Sequence, residues 1–470
     1  MAIMSPKRWR IMKTLRDMKL QPAQIIILGF IILIILGSIL LSLPVATRSG
    51  KPLHYLDALF TSTSAVCVTG LVVADTGIVF SLFGQIVIIL LIQAGGLGVM
   101  TVMSFAFLLI GKRITLSDRM VIKETFNEFD LSGLVKVILK VLKVTLAAEL
   151  LGAVLLATRF IPAFGIDKGI YFSLFHAISA FCNAGFDILG PVSKAYASFS
   201  MFSSDPVVVL TLSFLIVSGG LGFVVISQML SPTRIRKKEK LSRYTKLVLT
   251  ITTVLILLGF VAVFSFEQNN PKTLGNMSFG NKLLNGLFQA VTPRTAGFAT
   301  IDQGLMLPVT KFIVILLMFI GASPAGTGGG IKTTTFAVVL LFLLASAHGK
   351  QDVTVLDRRV AAETVRRALT ITLLAFVVVA AACFAMLGIE GQRGDMFTFE
   401  NIIFEVVSAF GTVGLSTGLT PSLSMASRII LIFVMFAGRV GLMTLVVGLA
   451  VRSRKDNTNI RYPEERFMVG

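Results

Sequence analysis

The chain has 470 residues, of which 55% are hydrophobic and only 14% charged, and its long charge-free runs suit hydrocarbon better than water, which excludes an ordinary soluble core. Its formal net charge of +19 does not point to nucleic acid, because 30 of the 43 Lys and Arg, against 12 of the 24 acids, sit in residues 1–20, 111–143, 231–246, 348–367 and 451–470. Everything else is nearly balanced, the asymmetry that orients membrane helices with basic connectors in the cytoplasm.

In chain order, residues 1–19 read as a cytoplasmic tail and 20–112 as a first module. The uncharged run 20–47 can cross a bilayer core, which needs about 20 apolar residues. It is long, ends at Pro44 and leads straight into a further helix, so it is expected to stay rather than to be cleaved as a leader. A short amphiphilic helix over 53–65 then opens into the loop Val68-Thr69-Gly70-Leu71, and the uncharged run 76–111 follows. The same order of span, short helix, glycine-centred loop and span recurs three times. Module two, 113–233 with its cytoplasmic connector, has a span around 135–160 containing Glu149, a short helix 170–181, the loop Asn183-Ala184-Gly185-Phe186 and the run 206–233. Module three, 234–347, has 247–266, 281–291, Thr295-Ala296-Gly297-Phe298 and 312–331. Module four, 348–453, has 368–389, 398–410, Thr412-Val413-Gly414-Leu415 and a last span 429–451 containing Arg439; a cytoplasmic tail, 454–470, closes the chain.

The loop glycines are 115, 112 and 117 residues apart, so the repeating unit is a whole supersecondary module. The expected fold is an all-α polytopic membrane protein with eight transmembrane spans, its four modules arranged around a pseudo-fourfold pore. A half-helix followed by irregular backbone at membrane depth is tolerated only where its carbonyls are buried in protein or line a watery path. The C-terminal end of such a helix offers partial negative charge to a cation, and the carbonyls beyond it can replace hydration water. Glycine permits the backbone angles this needs. Spacing makes the symmetry approximate: Ser64, Ser179 and Ser408 precede their glycines by six positions, whereas Thr292 precedes Gly297 by five. Four turns that merely let helices pack closely are the bland alternative, and the fourfold repetition argues against it.

The second span of module three is interrupted by Gly321-Ala322-Ser323-Pro324-Ala325-Gly326-Thr327-Gly328-Gly329-Gly330. Proline lacks a donor, and each glycine in a helix costs about 1 kcal/mol relative to alanine, so a loop is expected there at membrane depth. Its small side chains would let it lie across a conduction path; a passive kink is the plainer reading. It is no phosphate loop, because Gly330-Ile331-Lys332 breaks the required Gly-Lys adjacency and no strand precedes it. Arg439, between Gly438 and Gly441, needs an acceptor in the membrane, and its charge would raise a barrier to a passing cation. Snorkelling to the cytoplasmic face is the alternative for Arg439 and the favoured one for Lys332. Glu149 is expected to hydrogen-bond inside the bundle, and His176 to pack or hydrogen-bond. His54 and His348 form no metal spacing, and Cys67, Cys182 and Cys383 imply no disulfide framework. An enzyme reading lacks any His-Glu-x-x-His pair, aspartate pair or nucleophile with an evident base. An ion-coupled secondary carrier for a monovalent cation stays open as an alternative, although same-direction repeats favour a continuous pathway.

These features resemble the Trk/Ktr/HKT superfamily of potassium transporters over almost the whole chain, and most of all the membrane subunit of bacterial Ktr systems. The resemblance is carried by His176-Ala177-Ile178-Ser179-Ala180-Phe181 before Asn183-Ala184-Gly185-Phe186, by Gln289-Ala290-Val291-Thr292-Pro293-Arg294-Thr295-Ala296-Gly297-Phe298, and by Thr412-Val413-Gly414. It implies a potassium selectivity filter made by Val68, Thr69 and Gly70, by Asn183, Ala184 and Gly185, by Thr295, Ala296 and Gly297, and by Thr412, Val413 and Gly414. It further implies an intramembrane gate formed by Gly321–Gly330 and Arg439. Also implied are potassium as the transported ion, no cofactor in this chain, a homodimer with one pore per protomer, and a separate cytoplasmic ring that binds nucleotides. The contacts expected for that ring are the basic connectors and Asn459-Ile460-Arg461-Tyr462-Pro463-Glu464, whose charges would serve anionic membrane lipid equally well. The implied location is a bacterial plasma membrane with both termini cytoplasmic.

Overall fold

The computed structural model describes residues 22–98 and 134–450. The two terminal tails, residues 99–133, which hold the latter part of the expected span 76–111 and much of the first connector, and the contact segment 459–464 lie outside them.

The first unit comprises α1 (Pro22–Ser42), the short α2 (Tyr55–Val66) and α3 (Leu82–Leu97). The second has α4 (Leu134–Phe164), α5 (Ile166–Phe181), α6 (Pro206–Leu221) and α7 (Phe223–Met229). The third has α8 (Arg243–Glu267), α9 (Phe279–Val291), α10 (Pro308–Phe319) and α11 (Thr333–Ala347). The fourth has α12 (Ala362–Glu390), α13 (Phe399–Gly411), α14 (Met425–Val440) and α15 (Leu442–Ala450). The short helices thus fall within a few residues of the expected ones. Three of their starts are capped by side chains that satisfy otherwise orphaned N–H groups: Ser278 accepts from the Asn281 N–H and Thr398 from the Asn401 N–H, as His54 Nδ1 does from Leu56.

Among the described residues α1, Leu139–Phe164 of α4, α8 and α12 are long and apolar enough to cross a membrane, and there are up to six such spans if the bent pairs α6–α7 and α14–α15 count as one each. The expected eight are not reached by this measure, because the second helices of units two to four break into shorter pieces and the continuation of α3 lies outside the described residues. The break in module three was foreseen, but the uninterrupted runs expected at 206–233 and 429–451 are corrected: α6 and α7 meet at 105° and α14 and α15 at 96°. Gly222 (φ 89°) and Gly441 (φ 91°) sit at those corners, and Gly98 (φ 85°) ends α3, each in the left-handed region that a helix terminus prefers to fill with glycine. The all-α expectation also needs a correction. In the connector 348–367, Thr354–Val355 and Arg358–Arg359 pair as a two-stranded antiparallel hairpin, turned by Leu356 (φ 44°) and Asp357 (φ 62°).

The long helices present apolar side chains outward, with Leu36 54%, Leu258 63% and Phe376 66% exposed. A soluble domain does not display such surfaces on successive helices, and a lipid environment accounts for them. Inward, the units pack in a closed order: α3 lies against α5, α6 against α9, α10 against α13, and α14 returns to α2. Each seam carries a polar clasp. The Tyr171 hydroxyl donates to Gln85 at 2.8 Å, Asn281 and Asn285 donate to Ser204 and to the Ser203 carbonyl, Lys311 faces Glu400 at 3.0 Å, and Arg428 pairs with Asp57 at 2.5 Å.

Candidate functional site: four glycine loops above a broken helix

Each short helix ends by folding its chain back on itself. The main-chain N–H groups of Thr69, Ala184, Ala296 and Val413 donate to the carbonyls of Ser64, Ser179, Thr292 and Ser408 at 2.8–3.0 Å. The hydroxyls of the same four residues hold the loop just beyond. Ser64 and Ser408 accept from the N–H groups of Gly70 and Gly414 at 3.1 Å, while Ser179 and Thr292 donate to the carbonyls of Phe186 and Phe298 at 2.8 and 2.6 Å. The loop of module three, one residue shorter in sequence, keeps the same fold-back.

Two positions in each loop are left-handed. The glycines Gly70, Gly185, Gly297 and Gly414 have φ of 89°, 68°, 77° and 89°. Two residues earlier, Val68, Asn183, Thr295 and Thr412 have φ of 57°, 58°, 68° and 50°. Three of those four are β-branched, for which this region is a true outlier, a cost of order 1–3 kcal/mol each that persists only where the surroundings impose it. Alternating left- and right-handed residues turn successive carbonyls to one side, which an ordinary turn does not achieve.

The four loops stand side by side. A Cβ built on Gly185 would lie 2.8 Å from the Ala296 carbonyl oxygen, and one on Gly297 would lie 2.6 Å from that of Val413. Gly414 likewise faces the Thr69 carbonyl and Gly70 that of Ala184, so each glycine abuts the residue before the next glycine in cyclic order. All twelve sequence-expected loop residues are therefore brought together. Their polar main-chain groups form a ring, and the C-terminal ends of α2, α5, α9 and α13 direct their partial negative charge toward it.

Directly against this ring lies the segment between α10 and α11. Its two ends are tied to each other, Gly321 N–H donating to the Ile331 carbonyl at 2.8 Å. Its middle is tied to two other units. Ser323 and Thr327 N–H groups donate to the Gly220 and Gly219 carbonyls, and the Thr327 hydroxyl donates to that of Phe181. Gly329 N–H donates to the Thr412 hydroxyl at 2.9 Å and Gly330 N–H to the Gly438 carbonyl at 3.2 Å. Arg439 completes the contact: its guanidinium donates to the Thr327 carbonyl and to those of Gly95 and Gly96 at the end of α3. It has found main-chain acceptors inside the bundle and does not snorkel. Lys332 also turns inward, its ammonium donating to the Gly328 carbonyl at 2.7 Å, a correction to the snorkelling favoured for it. A cavity of about 570 Å³ opens beside this segment, bounded by Gly98, Pro324, Lys332, Arg367 and Arg439 among others.

Glu149 accepts from the Gln93 amide inside the bundle, and His176 is fully buried, its Nδ1 bonded to the Phe172 carbonyl and its Nε2 accepting from the Ile188 N–H. Both match expectation. Three features escaped the sequence reading. One is the corner glycines of the second helices, visible in retrospect as Gly95-Gly96-Leu97-Gly98, Gly219-Gly220-Leu221-Gly222 and Gly438-Arg439-Val440-Gly441. Another is Arg294, whose buried guanidinium reaches the Gly321 carbonyl at 3.4 Å and so joins the third loop to the broken helix. The last is Gln289 and Glu405, buried polar residues on α9 and α13.

The sequence profile of the family TrkH, cation transport protein, matches residues 7–460. The chain is 40% identical over 463 residues to the "Potassium/sodium uptake protein NtpJ" of Enterococcus hirae, covering 98% of this chain and 100% of that one. It is also 40% identical over 458 residues to "Ktr system potassium uptake protein B" of Bacillus subtilis, covering 97% and 99%. The crystal structure of the potassium transporter TrkH from Vibrio parahaemolyticus shares its fold, with a TM-score of 0.67 at 17% identity over 89% of this chain and 84% of that one. The chain belongs to the TrkH family of cation transport proteins.

Proposed function

We propose that the protein is the ion-translocating subunit of a Ktr-like potassium uptake system in a bacterial plasma membrane. The observation that carries this reading is the ring of glycine loops, in which the carbonyls of Thr69, Ala184, Ala296 and Val413 each stand against the preceding glycine in cyclic order. Such a ring can exchange the hydration shell of a monovalent cation for carbonyl oxygens, and the helix ends behind it favour positive charge. In this reading Val68–Gly70, Asn183–Gly185, Thr295–Gly297 and Thr412–Gly414 are the filter, and the four units surround one pore with eight membrane crossings. Gly321–Gly330 and Arg439 are the gate. A guanidinium and an ammonium beside the path oppose the passage of a cation until the segment moves, and its bonds to two other units supply a closed state to be broken. The membrane potential, worth about 2.3 kcal/mol per charge at 100 mV, suffices to drive inward flow.

The names of the relatives support potassium as the ion and a multicomponent system; we propose further that the chain forms a homodimer and meets a cytoplasmic nucleotide-binding ring. No cofactor is assigned to this chain. A carrier with alternating halves is the competing reading, and a ring closed around four loops favours it less. Potassium-limited growth and rubidium uptake decide between them in cells lacking their own importers. Expression of the chain should rescue growth and take up rubidium, and Gly185→Asp should abolish both. A protein present in the membrane that moves neither rubidium nor sodium would end the pore reading.

A further inference from the structure

Three positions before the fold-back hydroxyl, every short helix carries a buried polar residue: Thr61, His176, Gln289 and Glu405. All four are completely inaccessible. In three units this side chain reaches across to the limb of the loop that rises after the glycine. His176 Nε2 accepts from the Ile188 N–H at 3.2 Å, three residues past Gly185. Glu405 accepts from the Thr417 N–H at 3.1 Å, three residues past Gly414, and from the hydroxyls of Ser416 and Thr420 at 2.5 and 2.7 Å. Gln289 exchanges two hydrogen bonds with Gln303, six residues past Gly297, at 2.6 and 3.2 Å. The first unit differs. Thr61 Oγ1 has no partner, and the limb after Gly70 is held from the neighbouring loop instead, through Asp75, which accepts from the Tyr196 N–H at 3.0 Å.

We infer that His176, Gln289 and Glu405 are positioning residues that fix the outer limbs of three of the four loops and so set the discrimination between potassium and sodium, while Thr61 leaves the outer limb of the first loop without such an anchor to its own helix. The inference rests on the pore reading above. None of the three touches the ring, so they act through the backbone they hold. A loop must keep its carbonyls apart for the smaller, more strongly hydrated sodium ion to be rejected, and a limb tied at both ends resists collapse better than one tied only at the fold-back. Glu405 makes the strongest anchor, because a carboxylate accepting three hydrogen bonds holds more firmly than neutral pairs do.

The test is paired uptake of rubidium and sodium, normalised to protein in the membrane, for wild type, Glu405→Ala, Glu405→Gln, Gln289→Ala and Thr61→Ala. Glu405→Ala should raise the sodium-to-rubidium uptake ratio about tenfold, which corresponds to about 1.4 kcal/mol. Glu405→Gln retains one acceptor oxygen and should restore most of the selectivity. Gln289→Ala should raise the ratio less, and Thr61→Ala should leave it unchanged. A purely structural role would lower the amount of protein or the uptake of both ions together without moving the ratio. If wild type is rubidium-selective and Glu405→Ala keeps its ratio, the inference fails while the pore reading stands; if wild type moves neither ion, both fall.

Discussion

At the scale of the residue, the glycine loops are where side-chain chemistry is excluded. Gly297 has φ 77° and a neighbouring carbonyl within 2.6 Å of where a Cβ would be, so alanine there meets both backbone strain and a collision with main chain that cannot swing aside. Gly297→Ala should cut rubidium uptake by about tenfold or more at unchanged protein level. Gly280, in the first turn of α9 with open space around it, provides the contrast, and Gly280→Ala should transport as wild type does. The importance of Gly297 was legible from the repeat; that of Arg294 was not. A charged residue in a loop sequence carries no mark of the carbonyl it will meet, and the 27 residues between Arg294 and Gly321 are closed only by the return of α10.

Among the elements, the segment between α10 and α11 and the positive-φ glycines Gly98, Gly222 and Gly441 end the second helix of each unit at a comparable point in the repeat. Among the described residues the third unit extends its break into a long loop, and that loop gathers Gly219, Gly220, Thr412, Gly438 and Arg439 around it. Removing residues 323–328 deletes the bonds from Ser323 and Thr327, together with the main-chain acceptor used by Arg439. The shortened protein should therefore pass rubidium faster than wild type when no regulatory partner is present, by a few-fold in initial rate. Unchanged flux at equal expression would argue against a gate. The third break was legible because proline and clustered glycines forbid a helix outright. The other corners were not, since a lone glycine inside an apolar run costs only about 1 kcal/mol and packing decides whether the helix continues.

For the molecule as a whole, the closed order of α3 on α5, α6 on α9, α10 on α13 and α14 on α2 makes each seam responsible for the symmetry of the ring. The seam between units three and four rests on Lys311, largely buried, whose ammonium stands 3.0 Å from a Glu400 oxygen but off the line of a hydrogen bond. Glu400 is partly exposed, so solvent screens the pair and its contribution is about 1–2 kcal/mol, below that of a fully buried one. Glu400→Gln should lower the thermal unfolding temperature of the purified protein in detergent by a few degrees. In a double-mutant cycle, Lys311→Met should cost much less in the Glu400→Gln background than alone, and additive losses would exclude the coupling.

The sequence by itself determined the membrane class, the four modules, the short helices and the twelve loop residues. Those follow from hydropathy, charge placement and repetition, each of which acts along the chain or at a fixed period. Tertiary structure alone decided that the glycines meet in cyclic order, that Arg439 and Lys332 turn to main-chain carbonyls, and that His176, Gln289 and Glu405 hold the loops from behind. A buried polar group must find a partner, but which partner depends on how packing folds the loops back and brings helices together: the partner is 4 positions away for Lys332, 11–15 for His176, Gln289 and Glu405, and 112–344 for Arg439.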